Sequence, residues 1–372
     1  MEKIKITSHQ LMAITMTYVC GASTIIIASS AASLAKQDAW ISAVVAALFG
    51  LIVIWLNTYL GGLYPDKTYV EVIQLLLGKW LGGFVVATFV FVCIGGAAQF
   101  VWYVGDFFTT QYMTETPTYI IDVLFVIVIV IAIFYGLEAI ARASEIFFYI
   151  IIAMFILSMF LVMPNINIDN IFPVLEKGIV PVLKGSLPLL AFTVLPLIIL
   201  NMIYPVNINV NDIKDAKKSM LKGYIIGMSI TFISIVMCIF VLGSTITADV
   251  RYPVVFLTKE INVGIIFTRL EALIVIVWIL TIFNNTLFYF YAGFLGLSQL
   301  LKLKDYKKIL LPLGLIMAVI SNFVYDSVPY EIDWDTNVWF PCIFTYGLIL
   351  PVVLLIVYCI KNIKTGNKLN MK

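Results

Sequence analysis

The chain has 372 residues, of which 62% are hydrophobic and 12% charged, with 23 basic and 21 acidic side chains and a net charge of +2. A soluble domain carries about twice that share of charge. The composition therefore excludes a soluble enzyme and a nucleic-acid-binding protein, and it predicts a single all-α integral membrane domain over residues 1–372.

Apolar runs of about 20 residues predict ten spans, at 9–30, 40–62, 82–108, 118–137, 145–163, 186–205, 221–243, 270–300, 309–325 and 338–360. Lys3 and Lys5 precede the first run. That run is read as a span rather than a cleaved leader, because it is span-length and lacks a convincing cleavage site. Small and hydroxylated residues interrupt it at mid-depth, in Tyr18-Val19-Cys20-Gly21-Ala22-Ser23-Thr24. A helix broken there presents backbone N–H and C=O groups that hydrocarbon cannot satisfy and a polar solute can.

Sorting Lys and Arg by segment puts 17 of the 23 on one side, and both termini fall on that side. The last loop of the other side carries Asp326, Glu331, Asp333 and Asp335 with no basic residue. Both termini are therefore expected to be cytoplasmic. The two longest connections, roughly 164–185 and 244–269, both lie outside and are half-apolar. Two roles stay open for them: short helices over the mouth of the bundle, or simple interfacial anchors.

The sixth span contains Pro188 and Pro196, flanking a stretch that includes Thr193 and Val194. Breaks in the first and sixth spans, five apart, point to a five-plus-five inverted repeat with a midplane site. The eighth span contributes Trp278, Asn284, Asn285, Thr286, Tyr289 and Tyr291. Asn285 and Tyr289 are four apart and share a face. Paired asparagines in an apolar helix serve either interhelical hydrogen bonds or a small solute, and sequence alone leaves both open.

Other polar groups read as structural. Asp106 and Asp122 are expected at the interface, solvated; Glu138, Arg142 and Glu145 form a charge cluster before the fifth span, and Arg269 with Glu271 resembles it. The fifth span, Ile146 to Met163, has no Lys, Arg, Asp, Glu or His, which argues against proton coupling by that helix. The lone histidine, His9, is interfacial, and Cys20, Cys93, Cys238, Cys342 and Cys359 are packing residues without framework or metal spacing. No cofactor, metal site or enzyme activity is expected. Gly223 with Gly227, and Gly95-Gly96, are expected to permit close helix packing.

Three longer motifs carry a resemblance. They are Tyr135-Gly136-Leu137-Glu138-Ala139-Ile140-Ala141-Arg142-Ala143-Ser144-Glu145-Ile146, the segment Asn170 to Gly185, and Arg269-Leu270-Glu271-Ala272-Leu273 followed by Trp278. With Ser8-His9-Gln10 at the start and the lysine-rich 302–308 linker, the chain resembles the B subunits of bacterial spore germinant receptors, the spore germination permeases of the amino acid–polyamine–organocation superfamily. The resemblance implies a fold of the leucine-transporter type with broken first and sixth helices. It also implies a subunit of the spore inner membrane that works with an A subunit and a lipoprotein C subunit to sense a small nutrient, commonly an amino acid. On the matching positions the pocket would be lined by Gly21, Ala22, Ser23, Thr193, Val194, Asn285 and Tyr289. The chain departs from the family pattern at Pro196, where a glutamate is frequent, and at Ser23, where a second glycine is frequent. Two other readings remain: an amino acid permease, and an ion-conducting subunit of the same complex.

Overall fold

The computed structural model describes residues 5–21, 23–208, 213–259, 271–303 and 305–364, with the backbone alone for Ser23, Tyr306 and Lys364. Helices and short turns make up the described residues, without a strand among them. α1 (Ser8–Cys20) begins with a capping box, in which Thr7 Oγ1 accepts from the Gln10 amide at 3.1 Å and the Gln10 side chain accepts from the Thr7 amide at 3.0 Å. It stops at Gly21, whose φ of +28° belongs to a region that L side chains rarely adopt. α2 (Ser23–Ala35) then resumes the span.

α3 (Ala39–Leu63) returns across the bundle, and the short α4 (Tyr69–Leu77) leads into α5 (Lys79–Gln111). At 33 residues α5 is about 50 Å long, well beyond the hydrocarbon thickness. α6 (Thr118–Tyr135) follows, then a turn at Gly136 with φ +93°, so that α7 (Leu137–Val162) starts at Leu137 rather than near 145.

In the second half, α8 (Ile179–Leu189) runs without a gap into a π turn (Leu190–Val194) and a 3-10 stretch (Leu195–Met202). The interruption of the sixth span is thus a change of helical pitch. Pro188 and Pro196 account for it, since neither has an N–H to continue the α-helical ladder. α9 (Ile213–Asp249) is kinked at Gly243, and α10 (Pro253–Lys259), α11 (Glu271–Leu300) and α12 (Leu310–Ser321) follow. The tenth span combines α13 (Val328–Trp334), α14 (Phe340–Phe344) and α15 (Leu350–Lys364), joined by π turns at Asp335–Trp339 and Thr345–Ile349. It starts nearly three turns earlier than its apolar run.

Eight stretches of the described residues are long and apolar enough to cross a membrane, one of them joining α2 to α3. The chain is a multi-pass membrane protein. Of the ten expected spans, the first is split into two 13-residue helices and the ninth is the 12-residue α12.

α9 backs the break in the first span. A Cβ on Gly223 would run into the Met12 carbonyl, and one on Gly227 would lie 2.8 Å from Val19, so these glycines do let α1 approach closely. Gly96 likewise makes room for Tyr289, whereas a Cβ on Gly95 would meet nothing. The two long connections behave differently. α10 packs on α2, α9 and α11 with Val254 and Leu257 fully buried, while Phe172, Val174 and Leu175 stay exposed. The remainder of the second connection, including Arg269, lies outside the described residues.

Candidate functional site

α1 ends against α11. The Asn285 amide lies so close to the Gly21 α-carbon that any Cβ at residue 21 would overlap it. Two hydroxyls reach the Gly21 carbonyl, Thr281 Oγ1 at 3.2 Å and Thr24 Oγ1 at 3.3 Å. Asn285 is 1% exposed, and its Oδ1 has no hydrogen-bond partner. One turn further along, Tyr289 is fully buried, and its hydroxyl also lacks a partner.

An aromatic shell surrounds that phenol. Tyr18 stacks on Tyr289 at 6.1 Å, Phe100 meets it edge-on at 5.2 Å, and Trp339 tilts over it at 6.1 Å. The buried Trp339 indole N–H is a third unpartnered polar group of this cluster. Tyr18 donates to the Pro196 carbonyl at 3.1 Å, and Phe192 stacks on Trp339 at 6.4 Å. Through those two contacts the sixth span joins the cluster. The named neighbours of Gly21, Asn285 and Tyr289 are amide, hydroxyl, aromatic and backbone groups, none of them an ionised side chain. Charge there comes from the helix ends, partially negative at the C-terminus of α1 and partially positive at the N-terminus of α2. Closed to solvent, with helix ends of opposite polarity and orphaned acceptor and donor atoms, the arrangement suits a small molecule that carries both charges.

The predicted positions do not all converge. Gly21, Asn285 and Tyr289 form one contiguous group. Ala22 lies outside the described residues, and only the backbone of Ser23 is described, as the first residue of α2. Thr193 and Val194 are buried in the π turn, and the Thr193 hydroxyl returns to the Leu189 carbonyl. Asn284 bonds to Thr17 Oγ1 at 2.8 Å and accepts from Ser144 Oγ at 3.2 Å, tying α11 to α1 and α7. The two adjacent asparagines point about 100° apart, so one serves interhelical bonding and the other faces the break.

A polar lattice sits at the end of the bundle remote from the chain termini. Arg251, in the turn between α9 and α10, reaches Asp106 at 3.2 Å and Glu331 at 3.0 Å. Its guanidinium lies over the Trp102 and Tyr252 rings at 5.3 and 5.5 Å. Tyr252 donates to Asp106 at 2.6 Å; Tyr103 and Tyr325 donate to Asp335 at 2.9 and 3.1 Å. Burial alone would push the Arg251 pKa down, but Tyr252 and the carboxylates of Glu331 and Asp106 outweigh it and the net direction is up. Asp106 is therefore not a solvated interfacial residue: its side chain is 14% exposed and bound to Arg251. Asp122 departs further from expectation. It is fully buried, because Gly105 lacks the Cβ that would displace it.

α5 and the π turn that follows α13 connect this lattice to the break. Phe100 and Tyr103 are three apart on α5, while Asp335 and Trp339 are four apart on the tenth span, so each helix carries one residue of the lattice and one of the aromatic cluster. The Phe100/Tyr103 spacing was a usable signal in the sequence. At the other end His9 pairs with Glu145 at 2.8 Å, leaving Glu138 and Arg142 to pair with each other at 2.6 Å.

Solved structures with this architecture are transporters. Over 95% of the chain and 78% of the other, it matches Mhp1, a nucleobase-cation-symport-1 family transporter in a closed conformation with bromovinylhydantoin bound, at a TM-score of 0.73 and 12% identity. A manganese transporter of Eremococcus coleocola matches at a TM-score of 0.59, with 12% identity over 95% of this chain and 79% of that one. These likenesses establish the leucine-transporter type of fold, with its two broken helices. Among sequences, spore germination protein KB of Bacillus subtilis is 27% identical over 91% of this chain and 90% of its own length. Spore germination protein GerLB of Bacillus cereus is 23% identical over 89% and 88% respectively. The family model described as spore germination protein matches residues 5–328, and the chain belongs to that family.

Proposed function

We propose that the protein is the nutrient-sensing, permease-like subunit of a spore germination receptor, and that it binds a small zwitterion, an amino acid by class, at the break between α1 and α2. The observation that carries this reading is the contact of the Asn285 side-chain nitrogen with Gly21 at the interrupted backbone, with the oxygen of the same buried amide left without a partner. In this reading Gly21, Asn285 and Tyr289 contact the ligand, Thr193 and Val194 back it from the sixth span, and Ala22 and Ser23 belong to the set by sequence position alone. The protein is one transmembrane domain in the spore inner membrane with both termini cytoplasmic. It works with the A and lipoprotein C subunits of the receptor.

In this reading the Arg251 lattice closes the outer side of the pocket. A ligand shifts such a bundle only by its differential affinity for two packings, so pocket substitutions alter the nutrient concentration needed for a response. The test is germination of spores lacking this gene against amino acids, nucleosides and sugars. Selective loss of response to one amino acid or a small group of them is the expected result. An unchanged response across the panel, with uptake of amino acid by the isolated protein in proteoliposomes, would replace the sensor reading with that of a permease.

A further inference from the structure

The midplane cluster does not use the one carboxylate that is fully buried in the membrane domain among the described residues, Asp122 on α6. Its Oδ2 accepts a hydrogen bond from Ser321 Oγ of α12 at 3.0 Å. Its Oδ1 has no partner and rests against the backbone of α5 at Gly105, where a Cβ would collide with it. Three helices therefore close on this side chain, and only one of them offers it a donor.

The charges on the elements around it do not compensate. α6 holds no other charged residue, and neither does α12. On α5 the neighbouring Asp106 is committed to Arg251 and Tyr252, and Lys79 lies at the opposite end of that helix. Glu138, Arg142 and Glu145 of α7 are at the terminal end of the bundle, paired among themselves and with His9. Glu271 opens α11, and Glu115 and Asp326 are exposed on the flanking turns. Asp122 has no ion-pair partner among the described residues. A carboxylate enclosed this way, without a cation, is tolerated in a bilayer protein only in its neutral form.

We propose that Asp122 is an exchangeable proton-binding site whose occupied state is the closed packing of α5, α6 and α12. The proton comes from the aqueous phase at the remote end and forms an O–H bond on the carboxylate, discharging it. The reverse step returns the proton to water and leaves an anion that must be hydrated. Hydration requires Gly105 and Ser321 to draw back. Because Asp106 directly follows Gly105, that movement displaces one of the two carboxylates that hold Arg251. The sign follows: lower pH at the remote end favours the closed packing, and higher pH favours its opening.

The test is infrared spectroscopy on the full chain in lipid nanodiscs, with no nutrient added. The wild type is expected to show a protonated-carboxyl C=O band at neutral pH that fades reversibly as pH rises. Asp122→Asn should lose the pH-dependent Asp122 component of the band, seen in the wild type minus variant difference, while keeping the helical circular dichroism of the parent. Asp106→Asn should keep it. If Asp122→Asn does not fold, Ser321→Ala serves instead: losing the donated hydrogen bond shifts the same band without removing it. A wild type without the band overturns the proposal. So does a band unmoved by both Asp122→Asn and Ser321→Ala, or one that persists at every pH at which the protein stays folded, since such a proton is structural rather than exchangeable.

Discussion

Replacing Arg251 with methionine removes the cation that joins Asp106 to Glu331 and leaves those two carboxylates facing each other across the vacated space. Breaking a buried ion pair from one side costs about 3–5 kcal/mol. Arg251 is partly accessible, at 22% of its side chain, so about 2–3 kcal/mol is the appropriate scale after screening. The methionine retains part of the contact with Trp102 and Tyr252, which limits the loss to the electrostatic part. At about 1.4 kcal/mol per factor of ten, the open population should rise roughly 30- to 150-fold. Phe100 separates the lattice from Tyr289, so a Phe100→Cys reporter measures the opening. Labelling by a membrane-impermeant maleimide, corrected for the native cysteines, should speed up by one to two orders of magnitude in Arg251→Met. Adding Glu331→Gln should recover part of the closure, because it removes the stranded charge. Equal labelling rates with and without Arg251, in protein of unchanged helicity, would show that the lattice is not what closes the site.

Gly21→Ala forces a side chain into a φ of +28° and against Asn285. The backbone strain is about 1–2 kcal/mol, and the germination dose response should shift at least tenfold while the assembled subunit remains detectable by immunoblot; an unshifted curve would remove Gly21 from the pocket. Asn284→Ala removes two interhelical hydrogen bonds, to Thr17 and from Ser144, whose hydroxyls keep their bonds to carbonyls of their own helices; thermal stability should fall by about 1–3 kcal/mol with no change in the concentration of nutrient at half response. Glu145→Gln weakens a half-exposed contact with His9, and melting should move by no more than the about 0–1 kcal/mol typical of surface pairs; a larger drop would mark the terminal end as a second latch.

What the sequence made legible were features that depend on near neighbours. Hydrophobic run length gave the spans, glycine and proline gave the positions of both breaks, and the four-residue spacing gave the shared face of Asn285 and Tyr289. Features that depend on partners far along the chain were hidden. Arg251 meets Glu331 across 80 positions, and Tyr252 meets Asp106 across 146. Nothing local distinguishes these acids from solvated ones. Asp122 was misplaced for the same reason, since its burial is decided by a missing Cβ on another helix. The form of the sixth break escaped too: two prolines eight apart mark a disrupted ladder, but a π turn relieves the strain without unwinding the helix.

The two halves of the first span have different partners, and that difference is what would let the break act as a sensing element in the proposed reading. α1 is held by α9 through Gly223 and Gly227, by α7, and by α11 through Asn284. α2 also packs on α9, but its other neighbours include α8, α10 and α3. α10 directly follows Arg251, so the segment beyond the break is joined to the remote lattice and the segment before it is not. In the proposed reading, a ligand held at the break between α2 and Asn285 of α11 would link these two sets of neighbours. Moving such an equilibrium from mostly open to mostly closed takes a differential affinity of several kcal/mol. A few hydrogen bonds to a zwitterion, at about 1.5–3 kcal/mol each when charge is involved, are sufficient to supply it.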